Sequence, residues 1–192
     1  IGYYPADANT DTDITLYSSD ESVATVDNDG VITPVGVGTV KITAISDNGV
    51  SDSCWATVYP FNVSKNDDGY YTIDEYIGSS SEVFIPAEIN DVSVSDVKPN
   101  FIDDCTNITK FDVDTTSNLL SSVDGVLFDK NQTTLIRYPT NKEGTAYDIP
   151  YSVTSIDNKS FYCNKNLVSI SIPENVENIG QRAFAECEKL ES

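Results

Sequence analysis

The chain has 192 residues, 39% apolar and 22% charged, which is the composition of a folded globular protein and not of a disordered one. Thirty-one acidic residues against eleven basic ones give a formal charge of −20, which repels nucleic acid and anionic membrane surfaces and removes both as primary partners. The absence of histidine removes Ser-His-Asp and Cys-His catalysis, HExxH zinc sites and imidazole acid-base chemistry together.

Other chemistries fare little better. Cys54, Cys105, Cys163 and Cys187 are dispersed without a C-x-x-C pair, and no GxxxxGK loop is present, so neither a structural zinc nor a nucleotide is expected. Carboxylate pairs at glycosidase spacing arise by chance among so many acids and read as solvated surface. No catalytic residue, cofactor or metal ligand is therefore assigned. No apolar run reaches the ~18 residues of a membrane span, so direct membrane insertion is not expected. With neither a signal segment nor any methionine, the chain reads as a trimmed or excised piece of a longer protein.

In chain order, Asp7-x-Asn9-x-Asp11-x-Asp13 imitates the start of a calcium loop. It has Thr12 where the sixth place needs Gly and Ser18 where the twelfth needs Glu, so a polar loop is the expected reading. Residues 1–60 contain short alternating segments: Ile14 to Tyr17, Val23 to Val26, Val31 to Thr33, Val40-x-Ile42-x-Ala44 and Cys54-x-Ala56-x-Val58. Turn signals such as Asp27-Asn28-Asp29-Gly30 and Asp47-Asn48-Gly49 separate them, as in an all-β sandwich. Period-two alternation buries Cys54, Ala56 and Val58 and turns Trp55 and Tyr59 outward, with packing against the following segment as their expected cover.

Ser18-Ser19-x-x-Ser22-Val23-Ala24-Thr25-Val26, Gly30-Val31-Ile32 and Gly38-Thr39-Val40-x-Ile42-Thr43 together resemble the bacterial immunoglobulin-like domain, group 2. The family begins with a further strand, so the resemblance implies a sandwich truncated at its N-terminal edge.

Residues 61–69 read as a polar linker. A repeat domain is expected over 70–192. Tyr147-x-Ile149-Pro150, Val153, Ile156, Phe161, Asn164 and Leu167 recur 23 residues later as Ile170-x-Ile172-Pro173, Val176, Ile179, Phe184, Cys187 and Leu190. An earlier copy runs from Val83-x-Ile85-Pro86 through Val94, Val97, Ile102, Cys105 and Ile108. A fixed period of this size marks a solenoid whose turns bury their apolar sides by stacking. A hairpin insertion interrupts it at about 115–145, with Val123 to Phe128 and Leu135 to Tyr138 flanking Asp129 to Thr133. Cys105 and Cys187 share one phase of the repeat and read as small turn residues without a bond between them. The four sequons, at Asn62, Asn107, Asn131 and Asn158, carry no weight.

Ile-x-Ile-Pro, Val-x-x-Ile-Gly and Ala-Phe-x-x-Cys-x-x-Leu, preceded by a Val-Asp-Gly-Val-Leu-Phe hairpin, resemble the BspA-type (Treponema pallidum-type) leucine-rich repeats over roughly residues 68–192. The resemblance implies a short parallel strand per turn, a tight corner at Pro, and a short helix or 3₁₀ turn carrying Phe161 or Phe184. The next strand is due just after Leu190, so Ile179, Phe184 and Leu190 are expected at an uncovered end.

The fold class expected is mainly β, a truncated immunoglobulin-like sandwich followed by a leucine-rich repeat solenoid with short helices and a hairpin insertion. Alternation places Glu82 and Phe84, Lys110 and Asp112, Ala146 and Asp148, and Ser169 and Ser171 on one outward stripe, the candidate partner-binding face. The function implied is non-catalytic recognition or adhesion of a protein partner at a bacterial cell surface or outside the cell, with the sandwich as spacer. Two alternatives stand beside it: an accessory segment of a larger secreted enzyme or cell-wall assembly, and a carbohydrate-binding module.

Overall fold

The computed structural model describes residues 13–102 and 107–191. The chain divides into two compact units, Ile1–Pro60 and Phe61–Ser192. Every regular element among the described residues is a β-strand.

In the first unit, β1 (Ile14–Ser18), β4 (Gly38–Ser46) and β5 (Ser51–Val58) form an antiparallel sheet in the order β1-β4-β5. The hairpin β2 (Ala24–Val26) and β3 (Ile32–Pro34) closes on the Asp27-Asn28-Asp29-Gly30 turn. There the Asp27 carboxylate accepts the backbone N–H of Asp29 at 3.0 Å and of Val31 at 2.9 Å, and Gly30 supplies φ +81°. Ala24, Val40 and Ile42 are buried, with Val23, Val26, Ala56 and Val58 packed around them. The inward phase of β5 holds at Ala56 and Val58 but not at Cys54, which is exposed, because the cluster ends before reaching it.

The second unit begins one strand earlier than its polar composition suggests. Residues expected to be a linker form β6 (Phe61–Lys65), paired antiparallel with β7 (Tyr71–Tyr76). The Asn66-Asp67-Asp68-Gly69 turn joins them, with the Asn66 side chain accepting the N–H groups of Asp68 and Tyr70. Then follow β8 (Glu82–Ile85), β9 (Glu88–Ile89), β10 (Val92–Val97) and β11 (Lys110–Val113). β9 and β10 form a hairpin whose two loop residues, Asn90 and Asp91, both have positive φ, the two-residue turn that suits strand twist. β10 stacks parallel on β7, and β11 parallel on β8, so one turn of the coil rests on the next by two ladders.

The insertion is a meander of β12 (Leu120–Val123), β13 (Val126–Asp129) and β14 (Thr134–Arg137). What reads in sequence as one segment, Val123 to Phe128, is two strands, because Asp124 (φ 50°) and Gly125 (φ 77°) reverse the chain. β14 also takes a place in the coil, pairing parallel with β16 (Ser155–Ile156), which pairs parallel with β18 (Asn178–Ile179). β15 (Ala146–Asp148) and β17 (Ser169–Ser171) form the companion ladder of the last turns.

The positions matched by the repeat form the core: Val153, Ile156, Phe161 and Leu167 are buried, as are Val94, Val97, Ile102 and Ile108. Phe161 stacks on Tyr138 and on Phe184, with 5.2 Å between centroids in each case. Phe184 is half-buried and Ile179 is 55% exposed. At the glycine of the Val-x-x-Ile-Gly pattern, Gly180, a Cβ would collide with the backbone of Asp157 and Asn158, so only glycine lets the turns close up there.

The segments carrying Phe161 and Phe184 are turns and not the short helices expected. Lys159, Cys163, Arg182 and Glu186 all have φ between 56° and 60°, and a left-handed residue at every fourth place stops a helical ladder from propagating. The backbone groups are satisfied between turns instead: the N–H groups of Lys159, Phe161 and Cys163 donate to the carbonyls of Gln181, Ala183 and Ala185 at 3.0, 2.8 and 3.1 Å.

Asn164, fully buried, accepts the N–H groups of Asn166 and Leu167 and donates to the Pro139 carbonyl of the preceding turn. At the same phase one turn on, the Cys187 thiol donates to the Phe161 carbonyl at 3.0 Å, so both residues serve as a donor that ties a turn to the one before it. Cys54, Cys163 and Cys187 are free thiols, while Cys105 lies outside the described residues.

Candidate interaction face of the solenoid

Within β8, Val83 and Ile85 point into the core, which leaves Glu82 and Phe84 outside; Phe84 is 55% exposed. The parallel register sets Lys110 beside Glu82 and Asp112 beside Phe84. Lys110 and Asp112, two apart on one strand and so on one face, pair at 2.5 Å. That hydrogen bond holds the Lys110 ammonium above its usual range. On the companion ladder Ala146 lies beside Ser169 and Asp148 beside Ser171, with Asp148 and Ser171 exposed and Ser169 half-buried.

The stripe read from the sequence is therefore two patches, Glu82-Phe84-Lys110-Asp112 and Ala146-Asp148-Ser169-Ser171, and not one unbroken row. The β12–β13 turn occupies the rung beside β11. The Phe111 N–H donates to the Gly125 carbonyl at 2.9 Å, and the Val113 N–H to the Ser122 hydroxyl at 3.0 Å. A Cβ on Gly125 would stand 3.1 Å from the Lys110 Cγ, so this glycine serves both the turn's positive φ and the close approach.

Where the hairpin abuts the ladder, a cleft of about 270 Å³ opens, its lining including Thr109, Lys110, Asp112, Ser122, Asp124 and Lys142. The Lys142 side chain is only 19% exposed and reaches Asp124 at 3.5 Å, while Asp124 itself is 83% exposed. A cleft of this size falls below the range that encloses a drug-sized ligand. Asp124, Ser122 and Lys142 were not among the residues read from sequence. The Asp-Gly turn was the signal that could have found the first, whereas Lys142 sits in an irregular stretch with no periodic mark.

No group of three or more metal-ligating side chains occurs among the described residues, and Asp7, Asn9 and Asp11 of the calcium-like motif lie outside them. In the first unit, Trp55 is 71% exposed and Tyr59 is half-buried. No helix among the described residues is long and apolar enough to cross a membrane.

Comparison with known proteins places these features. Residues 83–192 match the model of the BspA type leucine rich repeat region, in six copies where the sequence pattern alone reveals three. Residues 2–58 match the bacterial Ig-like domain (group 2). Similar solved structures include a leucine-rich repeat protein from Eubacterium ventriosum (29% identity, TM-score 0.52, covering 58% of this chain and 30% of that one). The pneumococcal vaccine antigen PcpA is 33% identical, with TM-score 0.53 and coverage of 58% and 26%. A leucine rich cell surface protein from Faecalibacterium prausnitzii is 28% identical, with TM-score 0.53 and coverage of 62% and 31%. The aligned region thus spans under a third of each of these neighbours. A search of the curated proteins returned no match. Both matched families are binding or structural domains.

Proposed function

We propose, from the premise that the chain belongs to the BspA-type leucine-rich repeat family and carries a group 2 bacterial Ig-like domain, that it is a non-catalytic module for recognising a protein partner. The partner is met outside the cell or at the bacterial surface, in keeping with the surface protein and the vaccine antigen among its structural neighbours. The sandwich serves as spacer and the solenoid presents the contact.

The observation that carries this reading is the patch around Phe84. A large aromatic stands more than half exposed on a rigid ladder, flanked by Glu82, Asp112 and the Lys110 ion pair, with the hairpin cleft beside it. Exposed aromatics in a polar rim next to a pocket are where protein interfaces concentrate their binding energy. Asp148 and Ser171 extend the same surface chemistry along the second ladder.

The test is binding of the full chain to a panel of immobilised extracellular-matrix and surface proteins by surface plasmon resonance. Phe84→Ala and Asp112→Lys should each weaken the interaction found by about tenfold or more, the loss expected of an interface hot spot, with the melting temperature unchanged. Binding indifferent to Phe84, Asp112 and Asp148 would place the contact elsewhere.

A further inference from the structure

A second surface lies on the first unit, on the outward side of the sheet formed by β1, β4 and β5. β4 and β5 bury Val40, Ile42 and, in part, Ala56 and Val58 on one side, so the alternate residues form the opposite side of the sheet. Register sets Lys41 opposite Trp55, Thr39 opposite Thr57, Thr43 opposite Ser53, and Tyr17 of β1 opposite Thr43. Trp55 is 71% and Tyr17 45% exposed. The Thr39 and Thr57 hydroxyls bond across the strands at 3.0 Å, which fixes their orientation.

Charge sets this face apart. The chain carries 31 acidic residues, yet the outward positions of β1, β4 and β5 hold no carboxylate and a single charge, Lys41. Lys41 makes no ion pair among the described residues. At physiological ionic strength charges farther than about 8 Å are largely screened, and the register sets the Lys41 ammonium directly opposite Trp55 on the neighbouring strand.

We propose that this face binds a carbohydrate bearing carboxylate sugars, with the apolar face of one pyranose ring on Trp55, its carboxylate on Lys41 and its hydroxyls among Thr39, Thr43, Ser53 and Thr57. An indole offers a rigid apolar plane that a sugar ring matches on one side while its hydroxyls stay wet. Two strand spacings and two residues of rise put Tyr17 about 12 Å from Trp55, so the face spans an oligosaccharide and not a single sugar. A protein partner would want a contiguous apolar centre, and here the two rings stand apart among hydroxyl groups. The only charge favours an acidic over a neutral glycan.

Trp55 is the only tryptophan, so intrinsic fluorescence of the full chain reads the site directly. Galacturonate oligomers should shift and quench this emission and bind in calorimetry, whereas neutral gluco-oligomers of equal length should bind at least tenfold more weakly. Trp55→Ala should abolish the calorimetric signal, and Lys41→Gln should reduce affinity several-fold and erase its salt dependence. Both side chains are exposed, so an unchanged melting temperature verifies that the variants fold. The proposal is overturned if the uronate oligomer leaves the emission unchanged, if binding survives Trp55→Ala, or if neutral oligomers bind equally and ignore Lys41→Gln. Phe84→Ala, which tests the solenoid face, should leave this binding intact.

Discussion

The two units solve the same problem of burying β-strands by different means. The sandwich unit has three buried apolar side chains among its described residues, Ala24, Val40 and Ile42, and its sheet leaves one side to solvent. The solenoid continues its core from turn to turn, with Phe161 touching the ring of Tyr138 behind it and of Phe184 ahead. Each turn is thus incomplete alone and is stabilised by its neighbours. The difference teaches where substitution is tolerated. Outward positions of the sandwich sheet can change with little loss of stability, whereas in the solenoid even polar residues such as Asn164 are part of the stacking.

The largest expected effect breaks the comparison from the solenoid side. Phe161→Ala removes a fully buried ring and should cost about 3–5 kcal/mol. In denaturant unfolding it should lower the midpoint followed by tyrosine signals and far-ultraviolet dichroism. The transition followed by Trp55 emission should stay in place, since that residue belongs to the other unit. The reciprocal change, Ile42→Ala, should cost about 2–5 kcal/mol and move only the Trp55 transition. A common shift of both transitions by either variant would mean that the units unfold together.

Next in size is Asn164→Ala. It strands the N–H groups of Asn166 and Leu167 and the Pro139 carbonyl, a loss of roughly 1–3 kcal/mol for buried groups left unmet. Asn164→Cys, which installs the residue found at the same phase in the next turn, should recover part of that loss in the same unfolding measurement. Smallest at neutral pH is the titration of the solenoid's tyrosines. Burial, reinforced by the Asp124 charge, pushes Tyr138 up to about 12, and burial raises Tyr147 further in the same direction. The folded state then keeps protons that the unfolded state releases from pH 10 upward. This contribution to stability is complete below pH 10 and falls away as pH rises towards 12. Near-ultraviolet absorbance compared with that of Tyr138→Phe and Tyr147→Phe variants should show these two phenols ionising above pH 10, and their full ionisation near pH 10 would contradict the packing.

Much of the architecture was legible because the solenoid repeats its own evidence. Val153, Ile156, Phe161 and Leu167 recur in phase, and all are buried as the period requires. The sheet of the sandwich was equally legible from alternation. What escaped was set by backbone conformation and not by apolar pattern. Asp124-Gly125 splits one apparent strand into two, and the left-handed Lys159, Cys163, Arg182 and Glu186 turn expected helices into turns. Residues 61–65 looked like a linker because their outward side chains are polar, yet Phe61 and Val63 keep the alternation of a strand. At the candidate face, the ladder residues were readable by period two. The cleft was not, since Lys142 and Asp124 meet Lys110 only through the folding-back of the hairpin.

We propose that a protein partner sits on the ladder patch around Phe84. Hydrogen–deuterium exchange of the full chain, free and saturated with a partner captured in the binding panel, measures this most directly. We expect slowed exchange confined to residues 82–85, 110–113 and the 124–125 turn. Protection falling instead on the sandwich or on the Phe161 and Phe184 turns, with the ladder unchanged, would contradict it.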